Sequence, residues 1–235
     1  GSGIGLAAVA RFAVEGCRVI ATVENSEQLA ALSGIPVVQA AVLDVTREDD
    51  WQSVVADAAA RFGPVEILFN NAGVTNRGDL EQTGRDLWDA TILVDLTSVY
   101  LGCRAVIGGM LANGRGAIVN NASINGLRGN TGLVAYSAAK GGVVAMTRSL
   151  ALDYAGRGIR VNCICPAAVD TVMTRDHLAA VPDRDAVERA IVAKHPIGRM
   201  ADPDEVAAVA VFLASDDASY MTGLAIPVDG GRTIR

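Results

Sequence analysis

The stretch LVAYSAAKGGVVAMTRSLALDYAGRGIRVNCICP, residues 133–166, decides the fold. Residues 133–158 read as one long helix, and residues 159–166 as a short apolar strand. The same alternation repeats outward. Toward the N-terminus, strands are expected at 17–23, 36–45 and 65–73, and another at 116–123. Between them fall a short helix at 26–32 with Ser26 as its N-cap, and a helix at 46–63. In the latter Thr46 can cap the start, acids fill the first turn and Gly63 closes the end. A second long helix at 86–113 is ended by Gly114. Toward the C-terminus, residues 201–219 form a helix with Asp202 as cap and Pro203 just inside it, and 223–231 close as a strand. Strands with near-continuous apolar cores, alternating with helices, mean an α/β fold with a doubly wound parallel sheet covered on both faces. No linker or repeat divides the chain, so residues 1–235 read as a single domain. The charged excursion 171–200 is long for a simple connection and reads as a lid over a ligand site.

Composition narrows the class. With 235 residues, 51% of them hydrophobic, the chain can bury one large core. Its uninterrupted apolar blocks, such as 207–214, fall well short of a bilayer span, and no charged-then-apolar leader appears. No membrane partner is expected. A net charge of −6 argues against nucleic acid, which wants a basic face. The four cysteines are scattered and the two histidines few, so no metal is expected. Buried thiols in a reducing, cytoplasmic setting are the expectation.

Open parallel sheets bind ligands beyond the carboxyl ends of their strands. Four signals fall there. GSGIG, residues 1–5, opens a helix, and Gly3 and Gly5 let backbone N–H groups approach a pyrophosphate. Asp44-Val45 ends a strand; the acid either accepts a hydrogen bond from an adenine amino group or caps the next turn. NNAG, residues 70–73, is by itself an ordinary strand-ending turn. Last, Tyr136 and Lys140 stand four apart on one helix face, with Ser123 at the end of the preceding strand. An ammonium near a phenol favours the phenolate, which suits Tyr136 to acid–base work, and Ser123 can polarise a carbonyl.

The order of glycine loop, Asp-Val, NNAG, Ser, YxxxK and a terminal VDGG resembles the short-chain dehydrogenase/reductase family over nearly the whole chain. The resemblance implies a Rossmann-like sheet, a nicotinamide cofactor, and hydride exchange with a small alcohol or ketone. It implies that Tyr136 exchanges a proton with the substrate oxygen, that Lys140 holds the nicotinamide ribose and that Ser123 orients the substrate. It further implies a cofactor path past Ser2, Gly3, Ile4 and Gly5, past Asp44 and Val45 at the adenine, past Asn71, Ala72 and Gly73, to Pro166, Val169 and Thr171 at the carboxamide. The family pairs its long helices into homodimers and homotetramers. Its members begin with a strand and a T-G-x-x-x-G-x-G turn. Gly3 and Gly5 match the last two glycines of that turn, and the first strand is absent from this sequence. The expectation is a fragment of a longer native chain, short by roughly ten residues.

Three positions depart from the pattern. Asp95 stands where the family's catalytic set has Asn; the resemblance implies that an Asp keeps part of that residue's role on a proton path to Lys140, while a buried carboxylate there also stabilises the ammonium and dampens its effect on Tyr136. Ala167 stands for a Gly, and its methyl group either narrows the nicotinamide site or is harmless. Val23, followed by Glu24, replaces the ribose-binding Asp of NAD-preferring members. With no basic residue at Ser2, Val23 or Glu24, NAD is expected over NADP. A degenerate nucleotide-binding homologue and a 3-oxoacyl-thioester reductase are the alternatives. Arg128 and Arg175 are candidates to meet a substrate carboxylate.

Overall fold

The computed structural model describes residues 1–32, 34–35 and 38–235. Helix α1 (Gly3–Val14) leads into β1 (Val19–Val23), a 3₁₀ turn (Ser26–Leu32) and β2 (Val38–Val42). Then come α2 (Glu48–Phe62), β3 (Ile67–Asn70), α3 (Arg85–Ile92), α4 (Ser98–Asn113) and β4 (Gly116–Asn121). The chain continues through α5 (Val134–Tyr154), β5 (Ile159–Pro166), α6 (Val172–Ala179), α7 (Arg184–Val192), α8 (Pro203–Ala214) and β6 (Ala225–Val228). The first two residues of the strand expected at 36–45 lie outside the described residues.

All the strand pairs are parallel. β1 pairs with β2, and β3, β4, β5 and β6 pair in that order. Among the described residues, β1 and β3 are not hydrogen-bonded to each other, and both line one cavity. Side chains alternate between the two faces as the strand period requires. Ile118 and Cys163 enter a core with Val99, Val106 and Met110 of α4 and Val143 and Ala151 of α5. Their neighbours Val119 and Ile164 enter the opposite core with Phe12 of α1 and Val206, Ala207 and Leu213 of α8. Each fully buried aliphatic side chain contributes about 1.5–3 kcal/mol, so both helical layers are needed to cover the sheet.

Some local expectations change. Asn25, not Ser26, caps the first 3₁₀ turn: its Oδ1 accepts the Gln28 N–H at 3.2 Å. Thr46 does not cap α2; its N–H and hydroxyl both donate to Asp44 Oδ1, at 2.9 and 2.6 Å. The long helix is interrupted by a π-helical turn, Leu93–Thr97, between α3 and α4. The continuous helix Arg85–Asn113 is also long and apolar enough to cross a bilayer by length and composition, with 44% of its apolar window buried. Counting only unbroken apolar blocks missed it. Here it covers the sheet, with Val99, Val106 and Met110 inside the core. The Asp202 cap of α8 holds, and Glu205 completes a capping box.

Candidate active site

The carboxyl ends of β1, β3, β4 and β5 open onto a cavity of about 1520 Å³. Every site residue expected from the sequence lines it, from Ser2 and Gly3 to Val169 and Thr171. The cavity also runs between the edges of β1 and β3 as far as Glu15 and Glu66. Shared lining alone is therefore a loose criterion, and the contacts carry the assignment.

The two Asn-Asn pairs set the floor. Asn70 and Asn120 stand in register on β3 and β4. Asn70 Nδ2 donates to Asn120 Oδ1 at 2.9 Å, and Asn120 Nδ2 donates to Thr147 Oγ1 of α5 at 3.0 Å. This buried amide ladder fixes α5 against the sheet, because breaking it leaves unsatisfied polar groups. The next residues face the cavity, where Asn121 Nδ2 donates to Asn71 Oδ1 at 2.9 Å.

Lys140 is 3% exposed. Its Nζ donates to the Asn121 carbonyl at 3.0 Å, lies 3.1 Å from Asp95 Oδ1 and stands 5.7 Å from the centroid of the Tyr136 ring. Two of its three donors are thus directed within the protein. Asp95 is fully buried; burial raises its pKa, and the Lys140 charge opposes that rise. The π turn carries Asp95, and such turns recur at functional sites. The second carboxylate oxygen accepts the Val74 N–H at 3.4 Å. Tyr136 is half-buried, and among the described residues its hydroxyl makes no hydrogen bond. Ser123 is buried at the end of β4, and its Oγ accepts the Asn125 N–H at 3.1 Å.

Gly73 lies against the ion pair. A Cβ there would stand 2.6 Å from Asp95 Oδ1 and 3.3 Å from Lys140 Nζ. Gly73→Ala is expected to cost about 1–3 kcal/mol by overpacking and to lower activity with it. An unchanged denaturant midpoint would show that the pair has room to move.

The glycine turn fits a dinucleotide. Gly3 has φ +53 and a Cβ would lie 3.0 Å from Thr171 Cγ2, while at Gly5 it would lie 2.7 Å from Asn71 Nδ2. Backbone there is bare, at the start of α1, where helix N–H groups favour an anion. Asn121 Oδ1, beside Lys140 on the cavity floor, is a buried acceptor without a donor among the described residues. Asp44 serves chiefly to cap the turn after β2, and its hydrogen bonds from Thr46 hold its carboxyl below the usual range. The Ala167 methyl group packs against the core below the sheet ends.

Other side chains were misjudged or missed. Arg175 is held by Asp170 through two hydrogen bonds of 2.8 and 3.0 Å, and Arg128 donates to the Arg232 carbonyl at 2.9 Å. His195 is buried: its Nε2 accepts the Ala168 N–H at 3.4 Å and its Nδ1 lies 2.8 Å from the Ile191 carbonyl. That neutral imidazole ties the end of α7 to the loop after β5. The Asn121 carbonyl that holds Lys140 left no sequence signal beyond the repeated Asn-Asn-Ala of residues 70–72 and 120–122.

A parallel sheet wound on both faces, with a glycine turn and a Ser-Tyr-Lys cluster at its carboxyl ends, defines a dinucleotide-dependent oxidoreductase. The family model described as enoyl-(acyl carrier protein) reductase matches residues 1–233. Dehydrogenase/reductase SDR family member 6 of Danio rerio is 38% identical over 230 residues, 97% of this chain and 92% of that protein. The 3-oxoacyl-[acyl-carrier-protein] reductase of Thermotoga maritima is 40% identical over 238 residues, covering 99% of this chain and 94% of that one. The solved structure of ElxO with NADP bound is 26% identical at a TM-score of 0.93, covering 100% and 96%. The chain belongs to the short-chain dehydrogenase/reductase family, and it is an NAD(P)-dependent oxidoreductase acting on alcohols or ketones.

Proposed function

We propose that this protein interconverts a secondary alcohol and its ketone with NAD as the preferred cofactor. The observation that carries the reading is the buried Lys140 beside Tyr136, on the cavity that also holds Ser123 and the glycine turn. Gly3, Ile4 and Gly5 would hold the pyrophosphate and Lys140 the nicotinamide ribose; the bound nicotinamide supplies or accepts the hydride. Tyr136 Oη, without a hydrogen-bond partner among the described residues, gives its proton to the carbonyl oxygen in reduction and takes the hydroxyl proton in oxidation. The Lys140 charge stabilises the phenolate left behind. Ser123 Oγ donates to the same substrate oxygen and holds it facing Tyr136. The excursion 171–200 brings His177 and Lys194 to the cavity wall and acts as a lid. A panel of secondary alcohols, followed by nicotinamide absorbance with each nucleotide, tests the activity.

Glu24 supports NAD. It is exposed on the cavity wall directly after β1, where a carboxylate repels a 2′-phosphate. The KM for NADP is expected to exceed that for NAD by about tenfold or more, and Glu24→Ser is expected to narrow the gap. Equal KM values in the parent protein would remove this assignment. A 3-oxoacyl-thioester reductase is the second reading, favoured by the 40% identity to the Thermotoga maritima reductase. It requires efficient NADPH oxidation with a 3-oxoacyl thioester.

A further inference from the structure

We infer that the substrate carries an anionic tail, a carboxylate or sulfonate, gripped by Arg77 and Arg232 at the catalytic end of the cavity. This rests on the oxidoreductase reading and adds the chemical class of its substrate. Charge is uneven along the cavity: the groove end carries both signs, with Arg18 and Arg115 just before β1 and β4, while the catalytic end carries cations in excess. The acids on its wall are Glu15, Glu24, Asp44, Glu66 and Asp95. The first four belong to the glycine-turn end and the groove between β1 and β3, and Asp95 is committed to Lys140. The cations Arg77, Lys194 and Arg232 line the other end, with His177.

The three cations and His177 come from four separate segments. Arg77 precedes Gly78, which bridges to Leu133, so it lies at the start of the helix that carries Tyr136. His177 is on α6, and Arg77 and burial both lower its pKa. Lys194 follows α7, and Arg232 sits in the C-terminal turn, joined by its carbonyl to Arg128 in the loop after Ser123. Among the described residues, Arg77, Lys194 and Arg232 have no carboxylate within 4.0 Å. Asp229, the acid nearest in charge to Arg232, has its oxygens occupied by the Gly231 and Thr233 N–H groups. Arg232 is half-buried, and burial together with the nearby Arg128 lowers its pKa. Among the described residues Arg77 and Lys194 have no ion-pair partner and Arg232 has only the engaged Asp229 as counter-charge, so this end of the cavity favours an anion in a protein of net charge −6.

The test compares matched substrates: 3-hydroxybutyrate with its methyl ester, and a hydroxyalkyl sulfonate with the corresponding neutral sulfone. With NAD, kcat/KM is expected to favour at least one anion over its neutral counterpart by about tenfold or more, and the preference should shrink as salt is raised. Arg77→Ala and Arg232→Ala should each erase most of that preference by raising KM for the anion, while leaving turnover of the neutral member unchanged. The two anions distinguish carboxylate from sulfonate. Equal use of anion and neutral partner in both pairs, or a preference untouched by both substitutions, overturns the inference and leaves the oxidoreductase reading standing. Turnover of neutral alcohols outside these pairs, with neither anion used, overturns it in the same way. No turnover of any alcohol or ketone with either nucleotide overturns that reading and the inference together.

Discussion

Tyr136→Phe is expected to reduce kcat/KM by roughly 10²–10⁴-fold, the range for loss of a positioned proton donor. The change removes one oxygen and keeps the ring. Because the hydroxyl makes no hydrogen bond within the described chain, the ring's packing beside Lys140 survives. The variant should therefore unfold at the parent's denaturant midpoint and bind nucleotide as the parent does. Loss of turnover with binding intact assigns the oxygen to proton transfer. Turnover equal to the parent's would sink the mechanism, since no other described group stands in the same relation to Lys140.

The largest effect on stability is expected from Lys140→Met. Asp95 is fully buried and Lys140 is 3% exposed. Removing the ammonium strands a buried carboxylate, which costs about 3–5 kcal/mol. For a protein of this size that corresponds to a fall in Tm of roughly 10 °C. Adding Asp95→Asn to Lys140→Met should recover most of the loss, because an amide needs no counter-charge. Failure of the double variant to recover would mean that the packing of the lysine stem, not the ion pair, sets the cost. The pH dependence follows from the raised pKa of Asp95. A carboxyl whose folded pKa lies above its unfolded value binds its proton longer when folded. The contribution of Asp95 to stability is then greatest below the ordinary carboxylate range, near pH 4, and falls as pH rises through the raised value. Lys140→Met removes the charge that opposes the rise, so the stability gap between parent and variant should widen as pH rises. Denaturant titrations across that window measure the slope.

The sequence alone determined the alternation of strand and helix, because apolar period and terminal signals are local. Gly63 and Gly114 end their helices, and Asp202-Pro203 begins α8 where capping chemistry places it. The Tyr136–Lys140 pair was legible for the same reason, since four residues make one helical turn. Contacts between distant segments were not legible. Nothing near Asp95 in sequence announces a π turn that directs it to Lys140, and nothing near residue 70 announces an amide ladder to Thr147. Arg175 and Arg77 look alike in the sequence, each an arginine that follows a polar residue. Only folding gives one Asp170 as a partner and leaves the other facing the cavity. Periodicity and capping act over a few residues and are written in order along the chain. Charge pairing and burial depend on which segments the sheet brings together, and that is decided when both of its faces are covered.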